Sequence, residues 1–221
     1  MTPEGFSASH GNRHPRRTAL NPVVQRMVPI LSAMLPPRVD LHLRLAPDLR
    51  LVCIDPVHVV RIVSNLVLNS CAALGRDVKQ AGGNARGTET GGTITIETAH
   101  GCLDGWVVLR VGDTGSGMSA TTRTNLFRPF FTTKPRSENA GLGLASVLRM
   151  VRRAGGTIQI ETAPGQGTEV AILFPSAASR DKKKPPGRLD VLPTPEASVR
   201  NPGPPVVNLK PNLKLKPKNQ R

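Results

Sequence analysis

Asp113 lies in the segment of the chain whose residue types most favour ligand binding or catalysis. It ends a run of strand-forming residues and is followed by Gly115 and Gly117, which allow the backbone to approach a ligand closely. Its carboxylate is a strong hydrogen-bond acceptor. Taken alone, the segment is equally compatible with an ordinary glycine turn, so its interpretation depends on the rest of the chain.

The two glycines also match the GxGxxA dinucleotide-binding fingerprint, which runs here from Gly115 to Ala120. That fingerprint requires a helix directly after the glycines and then a parallel strand. The stretch from Phe127 to Pro135 contains prolines that interrupt any helix in that place. The sequence therefore argues against a dinucleotide-binding unit of this type.

A second glycine pair, Gly141 and Gly143, opens a predicted helix that ends at Arg153. Backbone amides at a helix N-terminus form an anion site, and the glycines let a phosphate come close. The chain contains no GxxxxGKS or GxxxxGKT motif. A nucleotide bound at this helix is therefore held without a Walker loop.

Asn65 and Asn69 share one face of the helix predicted after Asp55-Pro56, because they are four residues apart. Their neighbours are apolar, and an unpaired amide is costly to bury. One interpretation is an oxygen ligand for Mg²⁺, which binds phosphates and keeps several waters. The alternative is a helix asparagine that is hydrogen-bonded to a neighbouring loop.

Hydrophobic periodicity places these segments in an alternation of helices and strands. An amphipathic helix begins at Asn21 and stops before Pro36-Pro37, a second follows Asp55-Pro56, and a third runs from about Leu142 to Arg153. The predicted strands cover residues 41–45, 51–54, 93–98, 106–111, 157–162 and 168–174. Because strands outnumber crossovers, hairpins must be present. We therefore predict an α/β fold, a two-layer α/β sandwich with a mixed sheet and the helices on one face.

The net charge of +15 is concentrated towards the ends of the 221-residue chain. Residues 176–221 are rich in proline and lysine, which predicts a disordered basic tail. Residues 1–20 are predicted to be a disordered N-terminal segment, and residues 21–175 to be the folded domain. The tail lacks interleaved aromatic residues for base stacking, so we do not expect a nucleic-acid partner.

The sequence also limits the cellular context. No stretch approaches the roughly 20 uninterrupted apolar residues of a spanning helix, and the N-terminus has no apolar signal region. The three cysteines are too widely spaced for a zinc site or a disulfide framework. These observations predict a cytoplasmic protein with reduced thiols and no membrane span.

Five segments occur in an order that resembles the ATP-binding domain of bacterial sensor histidine kinases, within the GHKL ATPase superfamily. They correspond to the N, G1, F, G2 and terminal glycine motifs of that family. In this sequence they are Asn65–Ala73, Asp113–Met118, Phe127–Lys134, Gly141–Leu144 and Gly165–Thr168.

The resemblance implies a Bergerat fold that binds ATP with Mg²⁺. Asn69 would ligate the Mg²⁺ and is the expected catalytic residue, and Asn65 would lie beside it at the nucleotide. Asp113 would accept a hydrogen bond from the adenine amino group, and Thr168 would support Asp113 beside the base. The adenine pocket would be shaped by two glycines, Gly115 and Gly117.

The same resemblance assigns the phosphate end of the site. The segment from about Ser119 to Ala140 would form a mobile lid. It contains the nucleotide-binding residues of the F motif, Phe130, Thr133 and Lys134. Behind the lid, helix amides would reach the phosphates through the residues of the G2 motif, Gly141, Leu142, Gly143 and Leu144.

The chain departs from the family at the phosphoacceptor. Kinases of this family transfer the γ-phosphoryl group to a histidine on a helical dimerisation domain, where an acidic residue usually follows the acceptor. No histidine of this chain is followed by an acidic residue, and too few residues precede the first predicted helix for a helical hairpin. We therefore expect the acceptor to be a histidine on another domain or chain, with a response regulator acting downstream.

Smaller departures lie near the second asparagine. Ser70 stands where the family commonly has Ala, and Ala72 stands where a charged residue is frequent, which predicts weaker hydrolysis or transfer. The loop at 76–92 is longer than usual. Two alternative functions remain open: a stand-alone GHKL serine/threonine protein kinase of the anti-sigma type, and a non-catalytic ATP-binding interaction module.

Overall fold

The computed structural model describes residues 16–80, 91–102, 104–132, 141–178 and 207–209. The strands are β1 (Arg17–Thr18), β2 (Val39–Leu45), β3 (Val52–Cys53), β4 (Gly92–His100), β5 (Trp106–Asp113), β6 (Thr157–Thr162), β7 (Thr168–Pro175) and β8 (Val207–Leu209). The helices are α1 (Leu20–Met34), α2 (Pro56–Gln80), α3 (Ala120–Asn125) and α4 (Gly143–Arg153).

Six strands form the main sheet in the order β6-β7-β5-β4-β2-β8. β2 and β4 are parallel, because α2 lies between them in the chain, and the remaining neighbours are antiparallel. β1 and β3 form a separate antiparallel pair. β5 therefore has an antiparallel strand on both sides, which agrees with the sequence-based argument against a dinucleotide-binding unit.

One face of the sheet packs against α1, α2 and α4. Strand alternation directs Leu41 and Leu43 of β2 towards this face, where they are almost fully buried. The helices contribute their own apolar stripes, including Val24 of α1, Ile62 of α2 and Val147 of α4. The predicted two-layer α/β sandwich, with a mixed sheet and helices on one face, is confirmed.

α2 is unusually apolar, and its residues Pro56–Gly75 have a mean hydropathy of 1.5. By length and composition alone, this is the one stretch within the described residues that could cross a membrane. In this fold its side chains Val59, Ile62 and Val63 are fully buried in the core between the sheet and the other helices. The cytoplasmic location and the absence of a membrane span stay predictions.

Three short elements were not expected from the sequence. α3 lies within the stretch 113–140, which was predicted to be irregular. β1 lies in the predicted N-terminal segment, and Thr18 there donates a hydrogen bond from its hydroxyl to the carbonyl of Ile54. β8 lies in the predicted tail and pairs with the edge strand β2. The rest of the predicted tail beyond Ala178 lies outside the described residues, so its disorder stays a prediction.

The opposite face of the sheet carries a row of charged side chains. Arg110 of β5 contacts Glu97 of β4 at 2.6 Å and Glu169 of β7 at 3.6 Å. Glu161 of β6 is directly opposite Glu169 in the strand ladder. Burial raises the pKa of Glu169, as do the nearby charges of Glu97 and Glu161, while Arg110 opposes the rise.

This shift predicts a pH-dependent penalty for folding. A carboxyl group whose pKa is higher in the folded than in the unfolded state disfavours folding when it is ionised, and its penalty disappears as the pH falls towards the unfolded value of about 4.3. Glu169→Gln removes this titration. In urea unfolding at pH 7 and pH 5, the wild type should gain stability relative to Glu169→Gln on going to pH 5. An unchanged difference between the two proteins would contradict the assignment.

Candidate functional site

A cleft of about 830 Å³ opens between α2, the end of β5, the start of β7, α3 and the start of α4. This volume is within the range of small-molecule sites, and the mixture of apolar walls with a few polar groups is typical of them. Its walls include Leu66, Asn69 and Ala73 from α2, Asp113 and Met118 after β5, Leu126 and Phe131 beyond α3, Gly143 and Leu144 from α4, and Val170 from β7.

Asp113 is fixed in this cleft by donors from two different elements. The hydroxyl of Ser70, on α2, donates to Oδ2 of the carboxylate at 2.9 Å. The backbone N–H of Gly115 donates to Oδ1 at 3.0 Å. Because the two carboxylate oxygens accept from separate elements, the side chain is held in one orientation at the wall of the cleft.

The loop after β5 crosses the β6–β7 turn at a distance that only glycine permits. Gly117 has φ +62°, and a Cβ there would lie 1.9 Å from the carbonyl oxygen of Ala163. Gly167 has φ +73°, and a Cβ there would lie 2.0 Å from the carbonyl oxygen of Asp113. The Gly165 N–H also donates to the Ser116 carbonyl at 2.8 Å. These crossings bind the two segments to each other.

A threonine hydroxyl joins the same two segments. Thr162 Oγ1 accepts from the Met118 N–H at 2.9 Å and donates to the Gly167 carbonyl at 2.9 Å. A hydroxyl has one proton, so at the 3.1 Å contact with Thr168 the donor is the Thr168 hydroxyl. Thr168 is paired with Asp113 in the β5–β7 ladder and lines the cleft. Its support of Asp113 beside the base stays a prediction.

Asn65 and Asn69 both line the cleft from α2. Asn65 donates from Nδ2 to the carbonyl of Arg61, one turn earlier in the same helix, at 2.8 Å. Its Oδ1 faces the start of α4, and a Cβ on Gly143 would lie 3.0 Å from it. Gly143 therefore allows α4 to begin against the asparagine face of α2.

The segment between the loop after β5 and α4 is partly described. Ser119 caps α3, accepting from the Thr122 N–H at 3.2 Å. Farther along, the Phe130 N–H donates to the Gly141 carbonyl at 3.1 Å, and both residues have positive φ. Thr133 and Lys134 lie outside the described residues.

The structure brings most of the predicted site residues to one cleft. The predicted site residues that line the cleft are Asn65, Asn69, Asp113, Gly117, Gly141, Gly143, Leu144 and Thr168. Gly115 is not one of the lining residues, and a Cβ there would lie 2.9 Å from the Cβ of Ala73. Phe130 is largely exposed to solvent, with an exposed fraction of 72%, and Leu142 is partly exposed, at 44%.

Two features of the cleft were not predicted from the sequence. Ser70 was noted only as a departure from the common Ala, although its hydroxyl is the side chain that donates to Asp113. Phe131, rather than Phe130, lines the cleft. A serine next to an asparagine on an apolar helix was the available signal for Ser70, because a buried hydroxyl needs a partner. For the two phenylalanines the sequence held no such signal.

The donors at the cleft also bear on metal binding. No group of three or more His, Cys, Asp or Glu that could hold a metal ion occurs within the described part of the chain. The cleft instead offers the amide oxygens of two asparagines, Asn65 and Asn69. Such a set fits Mg²⁺, which is commonly bound by one or two protein oxygens together with substrate phosphates and water.

The glycine crossings lead to a matched pair of substitutions in one turn. Gly165 and Gly167 both have positive φ, but a Cβ on Gly165 meets nothing within 4 Å. Gly165→Ala should therefore cost only the left-handed strain of about 1 kcal/mol. Gly167→Ala should cost about 2 kcal/mol more, because its Cβ overlaps the Asp113 backbone. Urea unfolding of both variants measures the difference, and equal losses would disprove the close crossing.

Comparisons with known proteins identify the family of this chain. Residues 54–178, more than half of the chain, match the family described as histidine kinase-, DNA gyrase B-, and HSP90-like ATPase. The sensor histidine kinase ZraS of Klebsiella oxytoca is 33% identical over 157 residues, which are 71% of this chain and 30% of ZraS. Sporulation kinase D of Bacillus subtilis is 40% identical over 89 residues, which are 40% of this chain and 17% of that kinase. The chain therefore spans less than a third of the length of these relatives.

Solved structures share the fold at low identity. The mycobacterial sensor histidine kinase MprB superimposes with a TM-score of 0.58 at 22% identity, covering 74% of this chain and 97% of that one. Full-length ShkA in complex with AMPPNP gives 0.57 at 22% identity, covering 74% of this chain and 32% of ShkA. From the family match, the sensor kinase relatives and the shared fold, we conclude that this chain belongs to the histidine kinase-, DNA gyrase B-, and HSP90-like ATPase family and carries the ATP-binding domain typical of histidine kinases.

Proposed function

We propose that this chain is the Mg²⁺-ATP-binding catalytic domain of a two-component histidine kinase. It transfers the γ-phosphoryl group of ATP to a histidine on another domain or chain. The observation that carries the proposal is the oriented carboxylate of Asp113 in a cleft that the start of α4 also lines. The name of the relative ZraS, a sensor histidine kinase, favours a histidine acceptor over the serine/threonine alternative.

The purine end of the proposed site is the Asp113 wall. Each oxygen of a carboxylate can accept more than one hydrogen bond, so an amino group of the ligand can donate to Asp113 in addition to the protein donors. The adenine 6-amino group is a donor of the required kind. Apolar side chains of the cleft, including Leu66, Met118 and Val170, provide surfaces for the faces of the ring.

The phosphate end of the proposed site is the start of α4. The first backbone amides of a helix lack intrahelical partners and carry partial positive charge, which favours phosphate oxygens. Gly141 and Gly143 line the cleft here and keep the approach free of side chains. The binding energy for the triphosphate then comes from amides at 141–144 and from Lys134, in the role that the resemblance implies for it.

Asn69 would hold Mg²⁺ through its amide oxygen, and bound Mg²⁺ would neutralise charge on the phosphates. The protein contributes positioning, since phosphoryl transfer is accelerated mainly by alignment and by electrostatic stabilisation. An imidazole nitrogen of the acceptor forms a bond to the γ-phosphorus, the bond from phosphorus to the β,γ-bridging oxygen breaks, and ADP leaves. A response regulator then receives the phosphoryl group from the histidine.

Calorimetric titration with ATP tests the site. Asp113→Asn should weaken ATP binding about tenfold or more, which is roughly 1.4 kcal/mol, because an amide nitrogen then faces the amino group. Asn69→Ala should remove the part of the affinity that depends on Mg²⁺ and leave ADP binding without Mg²⁺ within about twofold. Asp48→Asn, at an exposed loop residue with φ +53°, is the matched control. Absence of ATP binding by the wild type would refute the proposal.

The chemistry of the acceptor is tested separately. The wild-type chain, incubated with γ-labelled ATP and a purified helical domain that carries a phosphoacceptor histidine, should place label on that domain. Phosphohistidine is acid-labile and phosphoserine is not, so brief acid treatment should remove the label. Label that survives acid would favour the serine/threonine alternative instead.

A further inference from the structure

We infer that the outer face of the main sheet, the face opposite α1, α2 and α4, is a docking surface for residues 189–196 of the same chain. The inference does not use the cleft and is independent of the proposed ATP site. With this layer in place, the folded unit extends to β8, whereas the sequence predicted a folded domain that ends at residue 175.

The outer face carries an apolar cluster that is buried, although no described helix contributes to it. Strand alternation directs Trp106, Val108 and Leu173 away from the helical layer, and the side chains packed against them are Ala99 and Ala171 of neighbouring strands. The exposed fractions of the three larger residues are 6%, 3% and 1%. A sheet face in contact with water would leave more of these side chains exposed, so a further segment must cover them.

Two buried polar atoms on the same face indicate what else the cover must provide. His42 and Arg44 of β2 alternate with the leucines that face the helices, so they lie on the outer face. His42 Nε2 and Arg44 Nε are buried, and neither has a hydrogen-bond partner among the described residues. Because a buried polar atom without a partner is costly, the cover must bring hydrogen-bonding groups as well as apolar side chains.

The course of the chain leads across this face. Just beyond β7, the Ser176 N–H donates at 2.7 Å to the carbonyl of Gly105, the residue that precedes Trp106. β8 then pairs with β2 at the far edge of the sheet, with Val207 opposite Leu43. Four strand spacings of about 4.8 Å, roughly 19 Å in all, separate β7 from β8. Since the helices occupy the other face, the direct route passes over β5, β4 and β2.

One part of the connecting residues 179–206 has the apolar side chains that the cover requires. Leu189, Val191 and Leu192 are its densest aliphatic run. Residues 179–188 contain no Val, Leu or Ile and are rich in lysine and arginine, which favour water. They are also long enough to let the aliphatic run reach the sheet. The run therefore matches the apolar cluster of the outer face.

The polar groups of the same segment match the two buried atoms on β2. Asp190 lies within the aliphatic run and Glu196 follows it, and a carboxylate is a strong acceptor for an arginine or histidine N–H. Pro193 and Pro195 favour an extended chain, whose carbonyl groups have no internal partners and can accept from the sheet. Residues 189–196 therefore combine the apolar and the hydrogen-bonding groups that this face lacks.

Trp106 is the only tryptophan of the chain, so its fluorescence reports on the cover. In the full chain, the double substitution Leu189→Asp and Leu192→Asp should shift the emission to longer wavelength and raise the acrylamide quenching constant about threefold, because carboxylates do not remain against an apolar cluster. Leu213→Asp with Leu215→Asp places the same two charges beyond β8 and is the matched control, which should leave both properties unchanged. Unchanged quenching in the first variant, or an equal increase in both, would overturn the inference.

Limited trypsin digestion of the wild type gives an answer that does not depend on the folding of a variant. The bond after Arg188 leads directly into the docked run, whereas the bonds after Lys182 and Lys183 precede it. Cleavage after Arg188 should be at least about tenfold slower, because it requires the run to leave the sheet. Equal cleavage rates at the three bonds would contradict docking.

Dilution distinguishes the connecting segment from a second copy of the chain as the cover. A cover supplied within one chain does not depend on protein concentration, so the quenching constant should be the same at about 50 μM and about 0.5 μM. A rise on dilution would mean that a second copy covers the cluster, and the inference would be wrong. None of these measurements involves ATP, so their failure is distinct from a failure of the proposed function.

Discussion

The close crossing of two backbone segments is the constraint on which the rest of the site depends. The loop after β5 and the β6–β7 turn meet at Gly117 and Gly167, where a Cβ would lie within 2.0 Å of a carbonyl oxygen. Thr162 reinforces the crossing with bonds to both segments. Since this loop begins directly after Asp113, the position of Asp113 relative to the β6–β7 turn is set by main-chain contacts, and hydrogen bonds from Ser70 and Gly115 orient its side chain.

α2 contributes both to the hydrophobic core and to the cleft. Its apolar residues, such as Val59 and Ile62, are buried in the core, while Asn65, Asn69 and Ser70 face the cleft. Polar groups on such a helix are acceptable only when they have partners, and for Asn65 and Ser70 these are Arg61 and Asp113. The same helix therefore reaches both the purine end and the phosphate end of the proposed site, and a displacement of α2 would affect both.

The sequence was sufficient for the features that depend on local pattern. Alternating leucines predicted β2, and helical spacing predicted α1, α2 and α4. The order of the five motifs predicted that Asn69, Asp113 and Gly143 belong to one site. The sequence did not predict the features that depend on contacts between residues far apart in the chain. β1 and β8 exist through pairing with distant strands. The partner of the Ser70 hydroxyl is 43 residues away in the chain, so only the fold reveals it.

The hydrogen bond between Phe130 and Gly141 bears on how the length of the chain between them can vary. It joins the two ends of that segment at one point, with left-handed backbone on both sides. The entropic cost of closing a loop grows only logarithmically with its length, by about 0.6 kcal/mol for each doubling. Insertions or deletions between these ends can therefore accumulate at small thermodynamic cost, while α4 and the asparagine face of α2 keep their relative positions.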